Sequence, residues 1–536
     1  MSTINELKLS IPAWAWLILS LILIGVFLLR LHLLPLFLER DEGEYAYMAQ
    51  LMLKGIPPYA QAYSMKLPGI YAAYAIVLAI FGQTPTGIHL GLMAVNMITV
   101  VLIFLIARRL TDLPMALAAS ACFAVLSASP AIHGVIANAE HFVLLAALAG
   151  ILVLLIAIET DKLLHFFGSG LLLGLSFLMK QHGAAFIAFA CSYLCIKGIY
   201  KQPLRFRSTL IKILLVLAGV LIPFGVTCLI LLMAGVFDKF WFWTFTYARE
   251  YISIFTFSET LPMLKEKTAS FVLPAFFILL IAAVGLGAIF FTKKGRAQFV
   301  FMGLFLVFSI LSVTPGCKFD NHYFMFLIPG LSFLFGLAIQ ALTDAMPDIK
   351  VKKYLPVGIV LLSLSHSVYI QRDLLFRADM ISVSRLLYGE NPFPEAQTIA
   401  KYIREHSNNS DRIAILGSEP EILFYADRTS ATGYIYMYPL MERQPYASLM
   451  RTEAIAEIES SQPEFFVFVG LIRSWAQELD YDRAILNWAK EYSNKYERVG
   501  LIDILLASRT EYYWDQAAAD IRPKSAHRIF VYRKKT

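Results

Sequence analysis

Charge is what this sequence has least of. Of 536 residues only 16% are Asp, Glu, Lys or Arg, whereas soluble domains carry about a quarter. With 58% hydrophobic residues and a mean hydropathy of +0.63, this excludes an ordinary soluble globular protein. Cysteine is nearly as scarce. The five present, Cys122, Cys191, Cys195, Cys228 and Cys317, all precede residue 370, which excludes a disulfide framework and a thiolate metal site. There is no internal repeat, no low-complexity linker and no glycine-rich phosphate fingerprint: "ILGSEPE" ends a strand at Gly417 and Ser418 without one. The net charge of +7 is not a nucleic-acid signal either. Much of the excess sits in short loops such as "KGIYKQPLRFR" and "TKKGR", which the positive-inside rule explains.

What is abundant is apolar sequence. Runs long enough for a hydrocarbon core of about 30 Å recur near 12–33, 68–83, 87–107, 113–130, 141–158, 168–180, 183–198, 209–236, 270–291, 297–314, 321–341 and 354–370. The first exceeds a signal-peptide core and no small-residue cleavage site follows it, so it is expected to be retained. The loops "ARR", "ETDK", "KGIYKQPLRFR", "TKKGR" and "DIKVKK" all fit the cytoplasmic side. That places residues 371–536 outside. A cytoplasmic N-terminus with every segment crossing conflicts with an external tail, so one segment in 68–180 is expected to be split, re-entrant or missed. The expected domains are a membrane part, 1–370, with its first external loop at 34–67, and an external α/β domain, 371–536. In the tail "PEAQTIAKYIREH", "EAIAEIES" and "RSWAQELDYDRAILNWAKEY" read as helices, and "RIAILG", "EFFVFVG" and "RIFVYRK" as strands.

Four stretches share the outer face in this topology: residues 34–67, "SPAIHGVIANAEH", the 237–268 loop and "PGCKFDNHY". Their convergence predicts a site opening outward at the bilayer surface. In "LERDEGEYAYMAQ" a helix from Asp41 puts Asp41, Tyr45, Met48 and Met52 on one face. Asp41 and Glu44 have nearly the spacing of a capping box, in which carboxylates only satisfy free amides. Against that reading, carboxylates at a membrane boundary are costly unless solvated or used, and Lys66 returns to the boundary just before Pro68. A carboxylate can deprotonate a nucleophile while an ammonium neutralises a phosphate.

The acidic pair after the first span, "YAYMAQLMLKGIPPY" and "MKLPG" together resemble the first external loop of GT-C glycosyltransferases. The similarity is greatest to glycosyltransferase family 39, which includes dolichyl-phosphate-mannose protein mannosyltransferases and lipid A aminoarabinose transferases. "NAEHF", "GLSFLMKQHG" and "NHYFMFLIPG" resemble that family's polar boundary motifs, so the likeness covers roughly residues 12–345. The tail's "GSEPEILFYADRTSATGYIYMYPL" resembles the external domain of bacterial members. The resemblance implies a GT-C fold with about 11–13 transmembrane helices and a site on the periplasmic face of a bacterial inner membrane. It makes Asp41 the base that activates an acceptor, Glu42 a secondary contact, and Lys66 the ligand of a polyprenyl-phosphate sugar. The implied reaction is an inverting displacement onto a lipid, glycan or protein acceptor. Leu67 departs from the family's lysine-proline-proline pattern, and Ser64 and Met65 depart from the aminoarabinose enzymes.

Further candidates each face a simpler reading. Glu140 and His141 suit a helix N-terminus; functionally they bind acceptor or, with another external carboxylate, a divalent metal, although one pair is too few ligands to identify a metal. Lys180, beside Gln181 and His182, either snorkels or binds phosphate. Arg249 lies among aromatics that an interfacial belt predicts, yet it can clamp a phosphate bidentately. Lys318, His322 and Tyr323 are read as anchors or, with Tyr45, as substrate contacts. The competing function is a lipid-linked sugar transporter or flippase, which tends to show repeated halves. A membrane-anchored sensor leaves Asp41 and Lys66 unexplained.

Overall fold

The computed structural model describes residues 11–199, 206–252, 257–347, 354–475, 483–506 and 509–535. Its contacts divide the chain into two compact units: residues 1–34, 89–229 and 255–377, and residues 35–88, 230–254 and 378–536.

The first unit is helical. Ala13–Leu31, Pro85–Leu110, Ala139–Thr160, Gln181–Ile199, Phe206–Met233, Thr260–Phe291 and Asn321–Ala345 are seven stretches long and apolar enough to cross a membrane, given a rise of about 1.5 Å per residue. Leu113–Leu126, Leu163–Met179, Phe299–Val313 and Leu355–Ile370 are shorter but equally apolar. The chain is an integral membrane protein. Phe104, Phe123, Phe186, Phe189, Phe305 and Phe333 fill the interior between these helices, while Leu217, Leu221 and Leu229 point outward from Phe206–Met233, as lipid permits and water does not. Helices approach closely where a side chain is missing: a Cβ on Gly285 would fall on the Leu334 carbonyl oxygen.

Polar contacts sort the turns into two ends. At one, Arg109 pairs with Glu159, Lys212 pairs with Asp161, and Lys294 bridges Asp112 and Asp344 at 2.9 Å each. At the other, Arg30 Nη2 donates to the carbonyls of Ser127 (2.8 Å) and Gly134 (2.9 Å), Asn321 donates to Ala131 O (3.1 Å), and Ser129 donates to Gln371 (2.6 Å). His89 also meets Leu34 O there, at 2.9 Å, and Trp16 lies 5.9 Å from Phe104 toward the opposite end. Seven long and four shorter apolar helices thus build this unit among the described residues. Of the basic loops expected on one side, "ARR", "ETDK" and "TKKGR" gather at one end; most of "KGIYKQPLRFR" and all of "DIKVKK" lie outside the described residues. Leu34 and His89 meet at one end of this unit, and Pro68–Phe81, read from hydropathy as a crossing, is a helix of 14 residues that belongs to the other unit.

In the second unit Pro68–Phe81 packs on the helix Arg40–Leu53, which also packs on Pro420–Ala426. The strands are β1 Arg412–Leu416, β2 Thr429–Ser430, β3 Phe465–Val469, β4 Tyr496–Leu506, β5 Arg509–Trp514 and β6 Arg528–Lys534, ordered β2-β1-β3-β6-β4-β5. β1 runs parallel to β2 and β3, and the other pairings are antiparallel. β1 and β3 are almost wholly buried, which is why "RIAIL" and "FFVFV" read as continuous apolar runs. The hairpin β4–β5 escapes a reading by alternation because charged residues interrupt it; Asp503, for example, is buried and accepts from the amides of Lys524 (2.6 Å) and Ser525 (3.0 Å). The long helix expected over 473–492 is a short turn, Ile472–Ser474, and a helix, Ala484–Tyr492; residues 476–482 between them lie outside the described residues. Tyr63, Trp243 and Tyr247 share one core with Leu416, Met437, Phe466 and Trp475. Part of the expected interfacial aromatic belt is thus interior, although Trp241 stays exposed.

Candidate functional site

The helix carrying Asp41 begins with a capping box two residues earlier than Asp41 and Glu44 would make it. Glu39 accepts from the amide of Glu42, and Glu42 Oε2 accepts from the amide of Glu39, at 3.2 Å each. Glu42 is fully buried in this role. Burial, and then the charges of Asp41 and Glu42, push the Glu39 carboxyl well above the usual range. With the amides satisfied by this pair, Asp41 and Glu44 turn to Lys66. Lys66 Nζ lies 2.9 Å from Asp41 Oδ1 and 3.7 Å from Glu44 Oε2, and 3.1 Å from the Tyr45 hydroxyl. Lys66 is placed by its surroundings: its carbonyl accepts from Tyr59 (2.7 Å), and Pro68 at the first helical position starts the next helix. Glu44 is sealed in and accepts from Tyr71 (2.6 Å), whereas Asp41 keeps 26% of its side chain exposed. The result is one accessible carboxylate, one ammonium and a buried carboxylate behind them.

The first unit brings together a second group. Lys180 pairs with buried Glu140 and lies 4.4 Å from the centre of the Tyr323 ring; His322 Nε2 is 3.9 Å from Glu140, and His182 packs on Tyr323 at 5.1 Å. Glu140 Oε2 and the Asn138 side-chain oxygen are buried without a hydrogen bond. His141 belongs to a neighbouring set, its ring 3.4 Å from Asn96, which in turn accepts from Ser127 (3.0 Å). Lys318 is half-buried in a turn where Gly316, Cys317 and Phe319 all have positive φ (72°, 51° and 48°), backbone that the surrounding structure must hold in place. Arg249 is exposed on the short helix Ala248–Ile252 and joins neither group. Among the described residues no three His, Cys, Asp or Glu side chains are placed to hold a metal ion.

Sequence reasoning gave Glu44 only a capping role with Asp41, whereas its carboxylate faces Lys66 at 3.7 Å. It also missed Tyr436, whose hydroxyl lies 3.0 Å from the Arg40 carbonyl and 3.4 Å from Asp41 Oδ1. Nothing local signals a partner 395 residues away.

The family model for dolichyl-phosphate-mannose-protein mannosyltransferase matches residues 66–227. Among curated proteins no match is found. Solved structures with a similar fold include ArnT from Cupriavidus metallidurans bound to undecaprenyl phosphate, 13% identical with a TM-score of 0.59, over 97% of this chain and 98% of that one. The archaeal oligosaccharyltransferase AglB from Archaeoglobus fulgidus, in complex with an inhibitory peptide and a dolichol-phosphate, is 12% identical with a TM-score of 0.56, over 96% of this chain and 75% of that one. The chain shares the GT-C fold of these structures, and its residues 66–227 match the family model for dolichyl-phosphate-mannose-protein mannosyltransferase.

Proposed function

We propose that this protein is a membrane glycosyltransferase that moves one sugar from a polyprenyl-phosphate donor to a hydroxyl or amine of a lipid, glycan or protein acceptor. The observation that carries the reading is the Asp41–Lys66 pair at 2.9 Å, held accessible while Glu39 and Glu42 take the capping role. The polyprenyl phosphates bound in ArnT and AglB support the donor class. In this reading Asp41 accepts the acceptor's proton as the acceptor oxygen or nitrogen bonds to the anomeric carbon. The bond from that carbon to the phosphate oxygen breaks at the same time, with inversion, and the polyprenyl phosphate leaves with the electron pair.

Lys66 neutralises that phosphate. It cannot hold Asp41 and a phosphate equally well, so the arriving donor loosens the ion pair and leaves Asp41 able to act as base. Glu44, buried behind Lys66 at 3.7 Å, stays beside the lysine in the interval. Glu140, Lys180, His322 and Tyr323 form the second polar site, for acceptor or headgroup. In this reading the active face is periplasmic in a bacterial inner membrane.

Proteoliposomes carrying a panel of radiolabelled polyprenyl-phosphate sugars test the class. A transferase releases free polyprenyl phosphate, by transfer or slow hydrolysis. Labelled lipid that crosses the bilayer unconsumed would replace this reading with a flippase.

A further inference from the structure

We propose that the C-terminal segment is part of the reaction centre, with Tyr436 as a positioning residue for Asp41; this rests on the reading of Asp41 as the base. The residues around Asp41 are fastened to the tail on both sides. Arg40 inserts among tail groups: Nη2 lies 3.0 Å from Glu419 and 3.2 Å from Asn391, Nε donates to the Ser418 carbonyl, and the guanidinium sits over the rings of Tyr438 (5.3 Å) and Phe393 (5.6 Å). Glu419 is itself held by Ser474. Two residues past Asp41, Gly43 lies so close to the backbone of Glu421 that a Cβ there would sit 2.7 Å from its nitrogen. Asp41 is therefore carried on a helical turn whose position the tail dictates.

Tyr436 completes the arrangement. Its one hydroxyl proton faces two acceptors, the Arg40 carbonyl at 3.0 Å and Asp41 Oδ1 at 3.4 Å. The same Oδ1 holds Lys66 at 2.9 Å. When a donor phosphate draws Lys66 toward itself, Tyr436 still donates to Asp41 and limits where the carboxylate can turn. Its influence belongs to turnover and not to donor binding, since its hydroxyl reaches the carboxylate of the base.

The test is Tyr436→Phe in the full-length protein, which keeps the ring stacked on Tyr438 (6.0 Å, 25°) and removes only the hydroxyl. Expected are a kcat roughly tenfold lower, donor KM within about twofold of wild type, and an acid limb of the kcat/KM profile moved to higher pH, because a lost donor raises a carboxylate's pKa. A purely structural role would lower stability or raise KM and leave that limb in place. Tyr434→Phe, whose hydroxyl serves Glu453 at 2.6 Å, is the matched control and keeps wild-type turnover. Amide exchange of residues 40–45, followed by mass spectrometry, needs no substrate and rises severalfold in Tyr436→Phe. Unchanged exchange, or unchanged turnover with an unmoved limb, overturns the proposal. Failure of the underlying reading looks different: Asp41→Asn retains activity while Tyr436→Phe still loosens residues 40–45.

Discussion

Replacing Gly43 with alanine tests how tightly the base-bearing helix is set. An added Cβ would lie 2.7 Å from Glu421 Cβ and N and 2.9 Å from its Cα. Two of these are backbone atoms, so no rotamer change in Glu421 relieves the clash. To reach an ordinary contact of 3.4 Å the helices must part by about 0.7 Å, in a core packed as densely as a crystal. Overpacking of this kind costs about 1–3 kcal/mol, and alanine's better helix propensity returns up to about 1 kcal/mol. A net loss of about 0–2 kcal/mol results. Catalysis suffers more, because a misplacement near 1 Å can cost about a hundredfold, so turnover should fall roughly 10- to 100-fold with Lys66 and the donor site intact. The assay is release of polyprenyl phosphate by purified protein in lipid, alongside thermal unfolding. Gly225→Ala, on the lipid-facing helix Phe206–Met233 with nothing within 4 Å, serves as control and should match wild type. Wild-type turnover in Gly43→Ala would refute the argument that this contact positions Asp41.

Glu44→Gln keeps the volume and the bond from Tyr71 but removes a negative charge 3.7 Å from Lys66; with one competitor gone, the Kd for undecaprenyl phosphate should fall about tenfold at low salt, and a weaker affinity would contradict this. Glu421 is fully buried and its carboxyl is held well above the ordinary range by burial, then by Glu419, with Glu39 adding and Arg40 opposing. Its folded pKa exceeds its unfolded one, so the folded state binds more protons and stability falls as pH rises between the two values. Protease resistance of the tail should therefore be greater at pH 5 than at pH 8, with a shallower slope in Glu421→Gln; equal slopes would count against the shifted group.

Much of this was legible in the sequence for physical reasons that local composition carries. The basic loops that the structure describes lie at one end of the helical unit, where Lys294 bridges Asp112 and Asp344. The Asp41 to Lys66 link was readable because both residues break apolar sequence. The capping register was not, since Glu39/Glu42 and Asp41/Glu44 have identical spacing and only tertiary contacts choose between them. For Pro68–Phe81 hydropathy reports apolarity and not its partner: Tyr71 and Tyr74 bury against Tyr45. Tyr436, Arg40 with Glu419, and the Tyr63–Trp243 stack at 5.8 Å join distant segments and leave no periodic trace.

The most direct measurement compares wild type with Asp41→Asn in lipid, supplying each radiolabelled polyprenyl-phosphate sugar in turn and following both binding and release of polyprenyl phosphate. The account predicts that both proteins bind the reactive donor while only the wild type releases polyprenyl phosphate. Equal release by the two proteins would contradict Asp41 as the base.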